Sequence, residues 1–316
     1  MYVKFWGTRG SIPTSISSET IKQKIFQALE GAAGLDLTDK IILKRYLDRL
    51  PFKIQGSTGG NTPCVEVRSG DQLLILDAGS GLRLLGIDLM KRGFARGGRQ
   101  ADILISHTHW DHIQGFPFFQ PAFIPDNKFT FHTPFEELAE RLAQQQDAVY
   151  FPAPMNYMSA ALEFNYISEN KWHQIGNFKV YPMRTSHPGV TYTYRIEDGQ
   201  SCLVYATDSE YKRVDPESTQ RYIEFFQDAD LLIFDAQYSL TEVLDKPDWG
   251  HSTSMMGAEF SRRAQVKRLA LFHHDPTSSD EKIWAAKEQA DAYLMSHPGQ
   301  YTCEVLVAYD GLSLEI

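Results

Sequence analysis

Three imidazoles and a carboxylate crowd into the six residues His107-Thr108-His109-Trp110-Asp111-His112, directly after an apolar run from Asp102 to Ser106. That mixture of nitrogen and oxygen donors suits borderline cations such as Zn²⁺. With 10 His in 316 residues, composition alone would place such a pattern in a chain of this size on the order of once in a thousand. A polar turn of solvated histidines is therefore a poor account of it. Residues two apart on an extended turn project alike, so His107 and His109 can serve one cation. Asp111 and His112, one turn further on, point to a second at the ~3.5–4 Å spacing of paired catalytic ions. Four donors cannot fill two coordination spheres, so the fold has to deliver further ligands from distant sequence.

The pattern of the remaining chain predicts how. Strands are expected at Tyr2 to Trp6, Cys64 to Arg68, Gln72 to Leu76, Asp102 to Ser106, Phe129 to His132, Phe178 to Arg184, Thr191 to Ile196, Cys202 to Ala206, Leu231 to Phe234, Leu269 to Phe272 and Glu304 to Val307. Helical periodicity marks Leu82 to Lys91, Glu136 to Gln145, Thr219 to Gln227, Thr253 to Ala264 and Glu281 to Leu294, with Ser252 or Thr253 as a cap. The strand before the His-rich turn should end at His107, placing that turn at a strand's carboxyl end, where catalytic groups collect in layered folds. Residues 18 to 50 carry apolar positions at helical spacing, broken by Gly31 and Gly34, and read as a helical hairpin inserted at 15–56. Strands paired first as meanders and later interleaved with helices predict an α/β (α+β) fold, two sheets face to face under helices, in one domain over residues 1–316.

Composition narrows the partners. The formal net charge of −9 opposes non-specific adhesion to nucleic acid, which needs a Lys and Arg surplus. The richest basic cluster, Lys91 to Arg99, reads as a solvated helix end and loop. No window reaches the eighteen or so apolar residues of a membrane span, and the opening MYVKFWGTRG is not a signal peptide, so a cytoplasmic location is expected. Cys64, Cys202 and Cys303 lie far apart and read as small core residues.

The segment HTHWDH following an apolar strand resembles the signature of the metallo-β-lactamase superfamily. The resemblance implies a four-layer αββα sandwich and supplies the remaining ligands residue by residue: His187 in TSHPG, Asp208 in YATDSE and His273 in LALFHHDP. It implies two divalent metal ions, Zn with Mn or Fe as alternatives, one held by His107, His109 and His187, the other by Asp111, His112 and His273, with Asp208 bridging. Asp77 in LLILDAGSG matches an aspartate that supports the ligands. No further cofactor is implied.

The opening FWGTRGSIP, the run Gly59-Gly60-Asn61-Thr62 and Trp249-Gly250-His251-Ser252-Thr253 resemble the phosphodiesterase branch, which contains ribonuclease Z and cyclic nucleotide phosphodiesterases. There the histidine matching His251 lies near the scissile phosphate, so His251 and Asp111 are the implied catalytic residues. The implied nucleophile is a metal-bridging hydroxide, with His251 protonating the leaving ribose oxygen. Asp245 or Asp248 could orient His251, or be solvated loop charges. His132, His173, His274 and His297 match no role.

For an acidic chain without the basic arm of ribonuclease Z, a small cyclic nucleotide is the first expected substrate and tRNA 3′ processing the second. A non-catalytic metal- or nucleotide-binding module is the reading from another class, and the intact ligand set argues against it. Aromatic runs at Phe116 to Phe123 and Tyr150 to Tyr157 could line a pocket or belong to the core. The hairpin's apolar faces need cover from the rest of the chain or from a second subunit, so a homodimer is a further expectation.

Overall fold

Alternating side-chain patterns fold into two sheets. The computed structural model describes residues 1–212, 215–298 and 302–316. The first sheet contains β1 (Tyr2–Gly7), β2 (Cys64–Ser69), β3 (Gln72–Leu76), β4 (Gln100–Leu104), β5 (Lys128–Thr133) and β6 (Ala161–Tyr166). The second contains β7 (His173–Ile175), β8 (Phe178–Thr185), β9 (Thr191–Glu197), β10 (Cys202–Ala206), β11 (Leu231–Asp235), β12 (Arg268–Phe272) and β13 (Glu304–Val307). The chain then returns to the first sheet as β14 (Ser313–Glu315), pairing Glu315 with Tyr2. The orders are β14-β1-β2-β3-β4-β5-β6 and β13-β12-β11-β10-β9-β8-β7.

From β3 to β6 and from β10 to β13 neighbours run parallel, so each step needs a crossover. Helices supply most of them. In chain order the α-helices are α1 (Ser18–Gly31), α2 (Lys40–Arg49), α3 (Phe52–Gln55), α4 (Gly81–Lys91), α5 (Trp110–Ile113), α6 (Leu138–Gln145), α7 (Pro216–Phe226), α8 (Leu240–Asp245), α9 (Ser254–Arg263) and α10 (Asp280–Ser296). None is long and apolar enough to cross a membrane among the described residues.

One core lies between the sheets, where Phe5, Val67 and Ile75 meet Val180, Tyr205 and Phe272, and it continues under α4 through Leu82, Leu85 and Leu89. A second core packs Val204, Leu232, Phe234 and Leu271 against Phe226 of α7, Phe260 of α9 and Ala290 of α10. Strands β10 and β11 are buried on both faces and carry unbroken apolar runs, as such strands must. The order helices, sheet, sheet, helices is the four-layer arrangement expected from the sequence.

Three departures have physical causes. The strand before the His-rich turn ends at Leu104, because Ser106 leaves the ladder: its N–H goes to Asp77 (2.7 Å) and its carbonyl accepts the Tyr192 N–H of the other sheet (2.9 Å). Strands β7 and β14 are three residues long and too short to be read, and β6, an exposed edge strand, was not expected although Leu162, Phe164 and Tyr166 alternate along it. Helices α1 and α2 form where expected, capped by Ser17 and Asp39, yet neither buries a residue. The Gly59–Thr62 run, whose Asn61 carbonyl accepts the Thr8 and Arg9 N–H groups of the opening turn at 2.8 Å, is pinned by Asp310, whose carboxylate accepts the Gly60 and Asn61 N–H groups (3.1 and 3.0 Å) and the Asn61 side-chain amide (2.9 Å). Gly60 has to be glycine here, since a Cβ would lie 1.6 Å from the Thr14 carbonyl.

Tyr194 of β9 crosses the interlayer core to donate to the Ile105 carbonyl at 2.7 Å, tying the His-rich turn to the second sheet. Removing that hydroxyl in Tyr194→Phe leaves a buried acceptor unpaired and should cost about 1–3 kcal/mol, read as a lower urea midpoint at unchanged slope. An unchanged midpoint would contradict the tether.

Candidate metal centre

Every candidate ligand stands at or just beyond the carboxyl end of a strand or on the short helix that follows one. His107 and His109 lie between β4 and α5, and Asp111 and His112 on α5 itself. His187 follows β8, Asp208 follows β10 and His273 follows β12. The fold brings all seven together in two sets that share one carboxylate. His107, His109, His187 and Asp208 offer ligand atoms within 4.8 Å of one another, and so do Asp111, His112, Asp208 and His273.

The outer ring of contacts decides which imidazole nitrogen faces inward. His112 Nδ1 meets Asp77 Oδ2 at 2.7 Å, His273 Nδ1 meets Gln237 Oε1 at 2.8 Å, and His187 Nδ1 meets the Gly250 carbonyl at 2.9 Å. Each partner can only accept, so each Nδ1 carries the proton and each Nε2 presents a lone pair to the centre. His107 follows the same rule, with Nδ1 3.1 Å from Ser106 Oγ and a buried Nε2 that has no hydrogen-bond partner among the described residues. Asp77 is fully buried and accepts three further hydrogen bonds, from the Ser106 N–H and Ser106 Oγ, both at 2.7 Å, and Tyr205 OH at 2.6 Å.

The inward atoms then form a cluster of acceptors. His112 Nε2 lies 3.3 Å from His273 Nε2, 3.4 Å from Asp111 Oδ2 and 3.2 Å from Asp208 Oδ1. Such a group needs positive charge at its middle. The electrostatics agree: burial opposes charge on His112, but Asp208, Asp111 and Asp77 outweigh it and push its pKa well above the ordinary value. Burial likewise opposes ionisation of Asp208 and Asp111, yet His273 and His112 around the first, and His112 beside the second, hold both well below the usual carboxylate range. Burial lowers His107, His109 and His187, keeping them neutral and ready to donate lone pairs. An unpartnered buried nitrogen and converging acceptors fit divalent cations.

The motifs of the opening turn act on this cluster. The Ser11 N–H holds Asp111 Oδ2 at 2.7 Å. Gly10 passes so close that a Cβ would sit 2.5 Å from His273 Nδ1 and 2.9 Å from Gln237 Oε1. His251 stands at the rim of the same site, its ring 5.2 Å from that of His187 and 5.1 Å from that of His273. Its Nδ1 bonds Asp235 Oδ2 at 2.9 Å. Burial works against charge on His251, but Asp235 prevails and raises its pKa to about 9.

The orienting carboxylate is thus Asp235, at the end of β11, and neither Asp245 nor Asp248: Asp245 ends α8, and Asp248 pairs with Lys212. Sequence reasoning also missed Gln237 and the Ser11 N–H. Asp235 had a signal, an aspartate closing an apolar strand as Asp77 and Asp208 do; Gln237 had none. His274 is buried and serves the scaffold, bonding the Ala308 carbonyl at 2.8 Å, while His132 pairs with Asp102 and His173 with the Ser168 carbonyl. Of the aromatic runs, Phe116 and Phe119 belong to the core, whereas Phe118, Tyr150 and Tyr157 are exposed.

Residues 74–274 match the family model described as the beta-lactamase superfamily domain. A probable metallo-hydrolase YhfI of Bacillus subtilis is 26% identical over 207 residues, 65% of this chain and 77% of its own. A ribonuclease Z of Thermoplasma acidophilum is 22% identical over 304 residues, 78% of this chain and 95% of its own. The crystal structure of the short form of human tRNase Z matches over 100% of this chain and 99% of its own, with a TM-score of 0.60 at 16% identity, so the likeness is one of fold.

Replacing Gln237 by Leu removes the acceptor that fixes the His273 tautomer. Cation affinity, measured by titration calorimetry with Zn²⁺ or Mn²⁺, should fall by about 10–100-fold while the circular dichroism spectrum stays unchanged. Wild-type affinity would contradict the tautomer argument.

Proposed function

This chain belongs to the beta-lactamase superfamily, and from that premise we propose that it is a metal-dependent phosphodiesterase. The observation that carries the reading is the pair of donor sets sharing Asp208, with a His–Asp pair at their rim. His107, His109, His187 and Asp208 would hold one divalent cation; Asp111, His112, Asp208 and His273 would hold a second. Zn²⁺ suits the imidazole-rich donors, and Mn²⁺ or Fe²⁺ suit the carboxylates equally. Such ions, when bound, act as Lewis acids that lower the pKa of water towards ~7 and offset charge on a phosphoryl group.

The chain's own residues then have separable roles. Asp111, fixed by the Ser11 N–H, and His112, fixed by Asp77, keep their donor atoms aimed without reorganisation. Asp235 holds His251 by Nδ1 and favours its imidazolium form. From there the other ring nitrogen gives its proton to the leaving oxygen as the P–O bond breaks, leaving a neutral imidazole and an alcohol.

A small phosphodiester, of the cyclic nucleotide kind, is the substrate we favour, because a net charge of −9 opposes adhesion to a polynucleotide backbone. A tRNA 3′-processing role is the second reading, supported by relatives named ribonuclease Z that align over most of this chain.

Asp208→Ala should lose bound metal and turnover together, since both donor sets contain it. His251→Ala should keep its metal content and lose ~10²–10⁴-fold in kcat, the usual worth of a general acid. The measurement is elemental analysis beside steady-state hydrolysis of bis(p-nitrophenyl) phosphate, 3′,5′-cyclic AMP and precursor tRNA. Wild-type turnover by His251→Ala sinks its role, cleavage of tRNA alone reverses the substrate order, and metal loading without turnover of any substrate leaves a binding module.

A further inference from the structure

Helix α1 turns Thr20, Lys24 and Ala28 towards the body of the protein. Lys24 points inward, its Nζ bonding Asp280 Oδ2 at 2.8 Å and the Gly56 carbonyl at 2.9 Å. Ile21, Ile25 and Leu29, a stripe at i, i+4 and i+8, face solvent instead, together with Phe26 at 65% exposure. Helix α2 adds Ile41, 70% exposed, and Leu47. The apolar stripe of α1 therefore lacks cover, whereas α2 half-buries Ile42, Leu43 and Tyr46 and leaves Ile41 and Leu47 outside.

The concentration is local. Ten of the twenty-two large apolar side chains exposed among the described residues fall between positions 12 and 47. Their combined exposed surface is on the order of 900 Å², against ~800 Å² that each partner gives to a standard interface and ~300–600 Å² for the largest patch on a typical monomer. Charge indicates what covers it. Between residues 18 and 50 there are six Lys and Arg and five Asp and Glu, and Lys24 is already paired with Asp280, which leaves five of each sign. Two copies of a chain of net charge −9 repel over most of their surface, yet can meet on a balanced segment without that penalty. A helix seated on a membrane would instead carry a surplus of Lys and Arg on its polar face.

We propose that α1 and α2 are the self-association surface of this protein, two copies pairing hairpin to hairpin in a two-fold dimer. The link from this surface runs through Ile12 and Ile16, both exposed, back to Ser11, whose N–H holds Asp111, so the dimer edge adjoins the metal centre. The proposal rests on burial and charge alone and stands apart from the catalytic reading.

Sedimentation velocity over about 1–100 µM protein tests it. The wild type should sediment as a dimer, and the double variant Ile25→Asp/Leu29→Asp as a monomer with unchanged circular dichroism, its dissociation constant raised at least ~100-fold. Hydrogen exchange on the wild type gives a readout that needs no variant: dilution below about 1 µM, carried on until the dimer dissociates, should speed exchange of the amides of α1 and α2 while those of β10 and β11 stay protected. A wild type that is monomeric throughout, a dimer that survives both substitutions, dilution-independent exchange of α1 and α2, or a monomer that floats with phosphatidylserine vesicles would each overturn the assignment.

Discussion

Nε2 of His112, Nε2 of His273, Oδ2 of Asp111 and Oδ1 of Asp208 approach one another to 3.1–3.4 Å, and both imidazole protons are committed outward to Asp77 and Gln237. Four acceptors at that range repel unless a cation or a shared proton sits among them. The cluster therefore cannot be a by-product of stable folding; the scaffold has to impose it. Much of the remaining structure can be understood as the means of doing so.

Part of that means is strain. Asp77, Asp208 and His273 all hold left-handed backbone, with φ of 60°, 43° and 58°, a conformation uncommon outside Gly that Asn, Asp and His take more readily than other residues. Each follows directly or nearly so on a buried strand, and turning sharply there aims the side chain across the strand ends. The two packed sheets make the turns affordable: Tyr205 OH from the second sheet reaches Asp77 of the first, and Tyr194 and Tyr192 hold the backbone of Ile105 and Ser106. The His-rich turn is thus a bridge between sheets, and its ligands owe their positions to both.

The sequence exposes chemistry that is local or strand-bound. The turn from His107 to His112 is legible because its donors are adjacent, and His187, Asp208 and His273 because each follows an apolar run. Asp235 escaped because the spacing to His251 is filled by a helix and loop whose path no periodicity reveals; proximity in sequence favoured Asp245 and Asp248, which the fold turns elsewhere. Gln237 and the Ser11 N–H contribute through hydrogen-bond geometry alone, which leaves no compositional trace. Strand β7 was hidden because it is three residues long, whereas β6 alternates Leu162, Phe164 and Tyr166 with polar residues and was legible but overlooked. Helices α1 and α2 were predicted from their apolar spacing, but the side of α1 that meets the body is held by long-range contacts, Lys24 with Asp280 and the Gly56 carbonyl and Tyr46 OH with the Ala28 carbonyl, and such contacts are not legible beforehand.

The account stands on cations occupying the acceptor cluster. Anomalous diffraction from crystals grown with Mn²⁺ or Zn²⁺, collected on both sides of the metal edge, tests this most directly. Two peaks flanking Asp208, one within bonding reach of His107, His109 and His187 and the other of Asp111, His112 and His273, are the predicted result. A map with no peak there, or with metal held only by residues outside these seven, would contradict it.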